Sequence, residues 1–223
     1  MAHTTLTSLA AIAEGRWGLV TTAQAEAAGV SRQQMSRWSS NGVLERVAQG
    51  VYRMAGAPTH EHEEIFAAWL ALGGATLPKT ATGVSPVVAA GITAALMHDA
   101  GDFLLDTLDF VVPARRTTRL ARVRLRIRKL GPEDVYPVMG LPTMTLERTI
   151  ADLVDQWVDL SLIAGVVRDG VTSGRLISPD RLVAYLNPIV VGQKRVGPGA
   201  GGGTAMAHHL FELAGVFPSG WSR

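Results

Sequence analysis

One stretch constrains the fold of this chain more than any other: residues 21–53, TTAQAEAAGVSRQQMSRWSSNGVLERVAQGVYR. Thr21 and Ser31 are each followed three positions later by glutamine, the spacing of a capping box at the start of a helix. Gly29 lies between them, where a helix ends most easily in a residue that tolerates positive φ. The spacing therefore predicts two short helices joined by a tight turn, the outline of a helix-turn-helix.

The second predicted helix has two different faces. Val30, Met35 and Trp38 fall on one side and form an apolar edge, which predicts that this side is core. The opposite side carries no acidic residue, and its arginine and glutamine side chains are the types that read guanine and adenine edges in the major groove. The residues of this candidate DNA-reading face are Arg32, Gln33, Ser36, Arg37 and Ser40.

Two β-prone runs follow, residues 43–47 and 51–53, with Ala-Gln-Gly between them. Glycine at the end of such a connection indicates a hairpin. Arg46 and Arg53 would lie on this wing, within reach of DNA phosphates. Together with a first helix near residues 6–13, these elements predict a winged-helix DNA-binding domain over residues 1–57. The alternative is a winged helix that is only structural, inside a protein-interaction module.

A second basic stretch lies at residues 115–130, which contain eight lysine or arginine residues and no acidic one. From residue 122 onwards arginine alternates with apolar residues, the period of a half-buried strand with an arginine face outward. We interpret this face as a second basic surface for nucleic-acid phosphate or an acidic partner. The alternative is a solvated face partly neutralised by residues 58–114, which hold seven acidic residues and one basic. Its members are Arg115, Arg116, Arg119, Arg122, Arg124, Arg126 and Arg128.

Beyond a Gly/Pro/Ala break at residues 55–59, strands and helices alternate, with a strand at 108–112 and helices at 146–154, 162–171 and from Ser178. Ser85 followed by Pro86 predicts a helix running to Met97. Residues 58–192 are therefore predicted to form a mixed α/β domain, and the whole chain an α+β protein. Residues 193–223 are read as a Gly-rich connection and a last helix at 205–214; the sequence assigns no role to the tail at 197–203.

Several function classes are excluded on sequence grounds. The chain has no cysteine, which rules out disulfides and thiolate metal sites. Gly83-Val84-Ser85-Pro86-Val87 lacks the second glycine of a nucleophile elbow, and the Gly-rich run lacks the lysine of a phosphate loop. The histidine pairs 60/62 and 208/209 lack zinc-site spacing and a third ligand. We therefore expect no enzyme activity, catalytic residue, metal or cofactor. Without an apparent signal peptide or bilayer-length apolar run, we expect a cytoplasmic protein with no membrane partner.

The order of these pieces resembles the AbiEi family of antitoxins, from bacterial type IV toxin–antitoxin and abortive-infection systems. The resemblance rests on AGVSRQQMSRWSSNGVLERVAQGVYR in the first half and on the arginine-rich strand with GLPTMTLERTIADLV in the second, and it extends over about residues 4–190. Pro86 departs from the polar residue of many relatives, and the Gly-rich tail has no counterpart in the family pattern.

The resemblance implies a DNA-binding autorepressor that recognises inverted repeats of double-stranded DNA in its own promoter. It also implies that the C-terminal domain counters a nucleotidyltransferase-like toxin. By the same resemblance, Arg32, Gln33, Ser36 and Arg37 are groove readers, and Arg46 and Arg53 contact DNA through the wing. The alternative left open is a ligand-responsive winged-helix regulator with no toxin partner.

Overall fold

The structure is a computed structural model that describes residues 2–193, 201–219 and 221. The chain divides into two compact units: a first unit that runs to Pro78 and includes Thr118–Ala121, and a second unit formed by Lys79–Thr117 and by the residues from Arg122 onwards. Helices and strands occur in both units, and the α+β class predicted from the sequence is confirmed.

The first unit is a winged helix with one additional helix. Its strands form an antiparallel sheet in the order β1-β3-β2. The wing is the hairpin of the second and third strands, and Gly50 turns it with a φ of 72°. In chain order the elements are α1 (Ala2–Glu14), β1 (Leu19–Thr21), α2 (Thr22–Ala27), α3 (Arg32–Ser40), β2 (Leu44–Ala48), β3 (Val51–Met54) and α4 (Glu63–Ala71).

The local rules read from the sequence account for the helix-turn-helix. The Gln24 N–H donates to Thr21 Oγ1 at 3.1 Å, and the Thr21 N–H donates to Gln24 Oε1 at 2.9 Å, which completes the capping box. Ser31 accepts from the Gln34 N–H at the start of α3, and Gly29 has a φ of 82°. The predicted helix-turn-helix is confirmed.

Strand β1 and the membership of helix α4 in the first unit were not predicted from the sequence, although residues 60–72 were predicted to form a helix. Strand β1 is only three residues long and pairs with β3 across Val20 and Tyr52. Helix α4 lies beyond the break at residues 55–59, yet it belongs to this unit, because Phe66 stacks on Trp17 with ring centroids 3.9 Å apart. The compact unit therefore continues past the boundary expected at residue 57.

The second unit places helices beside a mixed sheet of order β6-β5-β4-β8-β7. A short 3-10 helix, Pro132–Asp134, precedes β7. Helices α6 to α9 form a bundle whose core contains Ile150, Val167, Leu186 and Phe211. The elements are β4 (Val88–Ala89), α5 (Gly91–Met97), β5 (Leu108–Val112), β6 (Val123–Ile127), β7 (Val135–Val138), β8 (Leu141–Met144), α6 (Leu146–Asp155), α7 (Leu160–Thr172), α8 (Pro179–Gly192) and α9 (Gly202–Ala214).

The prediction of a helix from Ser85-Pro86 to Met97 is wrong for the residues before Gly91. The chain instead forms strand β4, which pairs antiparallel with β5 and parallel with β8, and α5 begins only at Gly91. Gly91 has a φ of 52°, and a Cβ there would lie 2.5 Å from Asp109 Oδ2. Pairing with two distant strands overrides the local signal for a helix start.

The C-terminal helix begins earlier than predicted and packs closely. Gly202 and Gly203 belong to α9, and a Cβ on Gly203 would lie 2.5 Å from the Val183 carbonyl oxygen in α8. Part of the glycine-rich segment therefore permits close helix–helix packing, and α9 shares the core of the second unit; residues 194–200 lie outside the described residues. Among the described residues, no helix combines the length and hydrophobicity needed to span a membrane.

Candidate nucleic-acid interface

Helix α3 presents its predicted DNA-reading face to solvent. All five residues of that face, Arg32, Gln33, Ser36, Arg37 and Ser40, are exposed. The other side of the helix is anchored, because Met35 is buried with Leu9, Val30 and Leu44 in the core of the first unit. The helix is therefore anchored to the core by one face, and its other face is open to solvent.

The side chains on this face differ in what they already contact. Arg32 Nε donates to Glu26 Oε1 at 2.6 Å, in an ion pair exposed to solvent. The Ser40 hydroxyl donates to the Ser36 carbonyl oxygen at 3.1 Å. Gln33 and Arg37 show no side-chain hydrogen bond or ion pair to any other described residue. Their hydrogen-bonding groups are therefore not engaged by other described residues, whereas the Arg32 guanidinium is engaged by Glu26. Glu26 was not predicted as a partner of Arg32, although its position six residues before Arg32 is the signal that could have identified it.

The wing contains one available arginine and one that is engaged. Arg46 is exposed, next to a bulge in β2. Arg53 is mostly buried and pairs with Glu45 of the wing and with Glu63 of α4 at 2.8 Å, and it also donates to Thr59. The hydrogen bonds that Arg53 donates to Glu45 and Glu63 raise its pKa.

The geometry of Arg53 corrects the role expected for it. Its guanidinium joins the wing to α4, so it positions the hairpin and is not presented to phosphate. Of the two wing arginines predicted to contact phosphate, Arg46 is the one whose side chain is exposed.

The second basic surface does not form as predicted. The arginines of β6 alternate as expected, but their face lies against acidic residues of β5 and α6. Arg124 pairs with Asp109 at 2.8 Å, and Arg126 pairs with both Asp109 and Asp152. Arg128 pairs with Asp152 at 3.1 Å and with Asp155 at 2.6 Å.

This cluster, which we call the arginine–aspartate network, is an internal structural element. The side chains of Asp109 and Asp152 are 2% and 0% exposed. Asp152 also accepts from the Gly91 N–H at the start of α5. Burial lowers the pKa of Arg126, but ion pairs with Asp152 and Asp109 more than offset this and raise it. An arginine face thus neutralised offers little to DNA phosphates.

The remaining four arginines of that stretch lie before β6. Arg122 has a φ of 62° and donates to the carbonyl oxygens of Leu105 and Asp106. Arg115, Arg116 and Arg119 are exposed and make no ion pair with any described residue. Of the seven arginines, these three are exposed and have no acidic partner among the described residues, as predicted for the surface. They lie in a connecting loop.

The histidine pairs set aside in the sequence analysis contact aromatic rings. His60 lies edge-on to Phe66 at 5.0 Å, and His208 to Phe217 at 5.6 Å. Within the described part of the chain, no group of three or more histidine or acidic side chains is arranged to bind a metal ion.

Comparison with known proteins finds a family match within the first unit. Residues 8–55 match the family model described as transcriptional regulator, AbiEi antitoxin, and the resemblance stated from the sequence is confirmed over these residues. The chain is similar in fold to the RV2827C protein from Mycobacterium tuberculosis, with a TM-score of 0.54 and 16% identity, covering 96% of this chain and 78% of that one. No curated protein matches the sequence.

Proposed function

We propose that this chain is a DNA-binding transcriptional regulator of the AbiEi antitoxin type, which represses its own promoter by binding inverted repeats. One observation carries the proposal: α3 combines a buried anchoring side with an exposed side on which Gln33 and Arg37 pair with no other described residue. This helix lies within the segment that matches a transcriptional regulator family. We assign the protein no enzyme activity.

In this proposal α3 lies in the major groove and the β2–β3 hairpin lies along the backbone. Arg37 and Gln33 make the base contacts, because paired donors and acceptors on these side chains match guanine and adenine edges. Arg46 contacts phosphate through the wing. Arg32 contributes after releasing Glu26, and the hydroxyls of Ser36 and Ser40 complete the face. Arg115, Arg116 and Arg119 are candidates for further phosphate contacts.

The test is binding of the full chain to its promoter DNA and to a scrambled duplex over a range of salt concentrations. Because phosphate contacts release counterions, we expect binding to weaken steeply as salt rises. Arg37→Ala should weaken promoter binding by about 1 to 3 kcal/mol and leave the scrambled duplex nearly unaffected, as for a base contact. Arg46→Ala is the matched comparison, and should weaken both duplexes alike with a salt slope lower by about 1.

An unchanged promoter affinity for a folded Arg37→Ala variant would remove Arg37 from the interface. Promoter binding that does not respond to salt would count against the proposal as a whole.

The antitoxin role rests on the family description, and we assign its partner as a nucleotidyltransferase-like toxin. Co-expression provides a separate test: the chain should restore growth to cells that express such a toxin from the adjacent gene. Growth arrest that persists with a folded, DNA-binding chain would leave a regulator without a toxin partner.

A further inference from the structure

The second unit contains a cavity of about 560 Å³ that the proposed DNA-binding function does not use. It lies between the β7–β8 hairpin, the end of α5, the start of α6 and the loop before α8. Its volume is within the roughly 300 to 1,000 Å³ of small-molecule sites in proteins.

Large apolar side chains surround the mouth of this cavity. Tyr136, Met139 and Ile177 line it and are 62%, 50% and 84% exposed. Soluble proteins seldom gather exposed apolar side chains at one place unless that place binds something.

The turn that carries Met139 is strained. Met139 and Gly140 form the two-residue turn between β7 and β8, with φ values of 51° and 82°. Such a turn needs positive φ at both positions and is normally built from Asn-Gly or Gly-Gly. A methionine in a left-handed conformation is unfavourable, and residues of this kind concentrate where proteins contact ligands. The strain keeps a flexible apolar side chain at the mouth.

The polar groups of the cavity favour an anion. Arg175 Nη1 donates to the His98 carbonyl oxygen, and Nη1 and Nη2 lie 3.4 and 3.3 Å from Asp99 Oδ2. The distances to Asp99 exceed the roughly 2.7 to 2.9 Å of a strong charge-assisted hydrogen bond, so a better-placed carboxylate can compete with Asp99 for Nη2. Arg181 also lines the cavity and adds a second positive charge, although its Nη2 already donates to the Glu133 carbonyl oxygen and to the Tyr185 hydroxyl at 2.9 Å.

The other ionisable groups of the cavity do not oppose an anion strongly. The Glu147 carboxylate already accepts the N–H groups of Ile177 and Ser178, both at 2.8 Å. His98 is buried, and burial lowers its pKa, so it carries no positive charge near neutral pH. The two arginines are therefore the groups on which an anionic ligand would dock.

We propose that this cavity binds a small carboxylic acid with an aromatic body. The carboxylate replaces Asp99 on Arg175, with Arg181 nearby, and the aromatic body packs against Met139, Tyr136 and Ile177. Planar carboxylates are the anions that the guanidinium fork of arginine receives best.

The experiment is calorimetric titration of the full chain, without DNA, with 2-naphthoate and with its neutral analogue 2-naphthamide. We expect saturable binding of 2-naphthoate, with the amide bound at least about tenfold more weakly because it cannot form the charged pair. Arg175→Gln should weaken 2-naphthoate binding by about tenfold to a hundredfold.

Two further variants keep the result interpretable. Ile177→Asp changes a mostly exposed side chain at the mouth, so it should leave the fold intact and repel the carboxylate. Arg115→Gln removes an exposed arginine elsewhere and should bind 2-naphthoate like the wild type. Absence of saturable binding, equal affinity for acid and amide, or undiminished binding by Ile177→Asp would each overturn the proposal.

Discussion

Replacing Arg126 with methionine would remove the guanidinium that joins Asp109 to Asp152 in the arginine–aspartate network. Both carboxylates are buried, and breaking a buried ion pair from one side costs about 3 to 5 kcal/mol because it leaves an uncompensated charge. Arg124 would still pair with Asp109, and Arg128 would still pair with Asp152 at 3.1 Å. We therefore expect the free energy of unfolding to fall by an amount near the lower end of that range, about 3 kcal/mol.

Amide hydrogen exchange of the full chain can measure this loss in the second unit alone. Protection of the amides in β5 and α6 should fall by roughly a hundredfold, the factor that corresponds to such a loss. Methionine is chosen because it retains an apolar side chain of similar length. Arg115→Met is the control, since that arginine is exposed and makes no ion pair with any described residue. Protection within a few-fold of wild type in the Arg126 variant would refute the reasoning, and would show that the network contributes little stability.

Two other predictions concern the second unit. Burial lowers the pKa of His98 from 6.5, so the unfolded state protonates first on acidification. The contribution of neutral His98 to stability is complete above about pH 6.5. Below that pH the free energy of unfolding falls by up to about 1.4 kcal/mol per pH unit. Urea unfolding at pH 7.5 and 5.5 should show a smaller difference for His98→Gln, and an equal difference would contradict this assignment. Gly203→Ala forces a Cβ against the backbone of Val183 and Asn187. This substitution should lower the free energy of unfolding by about 1 to 3 kcal/mol. Gly192→Ala has open space and should be neutral or stabilising in the same unfolding assay; equal losses for both glycines would exclude the packing explanation.

The winged helix could be predicted from the sequence because its signals are local. The Thr21 cap, the positive φ of Gly29 and the glycine of the wing each act within a few residues. The exposed side of α3 followed from helical spacing alone. The role of Arg53 could not be predicted in the same way, because its partner Glu63 lies on α4, beyond the domain boundary that the sequence predicts at residues 55–59.

The second unit shows the limit of periodicity. Alternation at residues 122–128 correctly predicted a strand, and it correctly placed the arginines on one face. It could not show that the arginine face packs against the protein and not against solvent. The reason is that Asp152 and Asp155 come from a helix that begins eighteen residues after Arg128. A pattern of period two defines two faces but not what covers them. The Val88–Ala89 strand was missed for a similar reason, since distant strands determine it.

The outer strand β7 of the five-stranded sheet carries a feature that discourages aggregation. An outer strand exposes unpaired backbone groups that can recruit a strand from another molecule. The arginines of the other outer strand, β6, cannot act by charge repulsion, because Asp109, Asp152 and Asp155 neutralise them. On β7, Pro137 offers no backbone N–H, which leaves a gap in the row of donors along that boundary. We therefore expect β7 to discourage edge-to-edge association between copies of the chain.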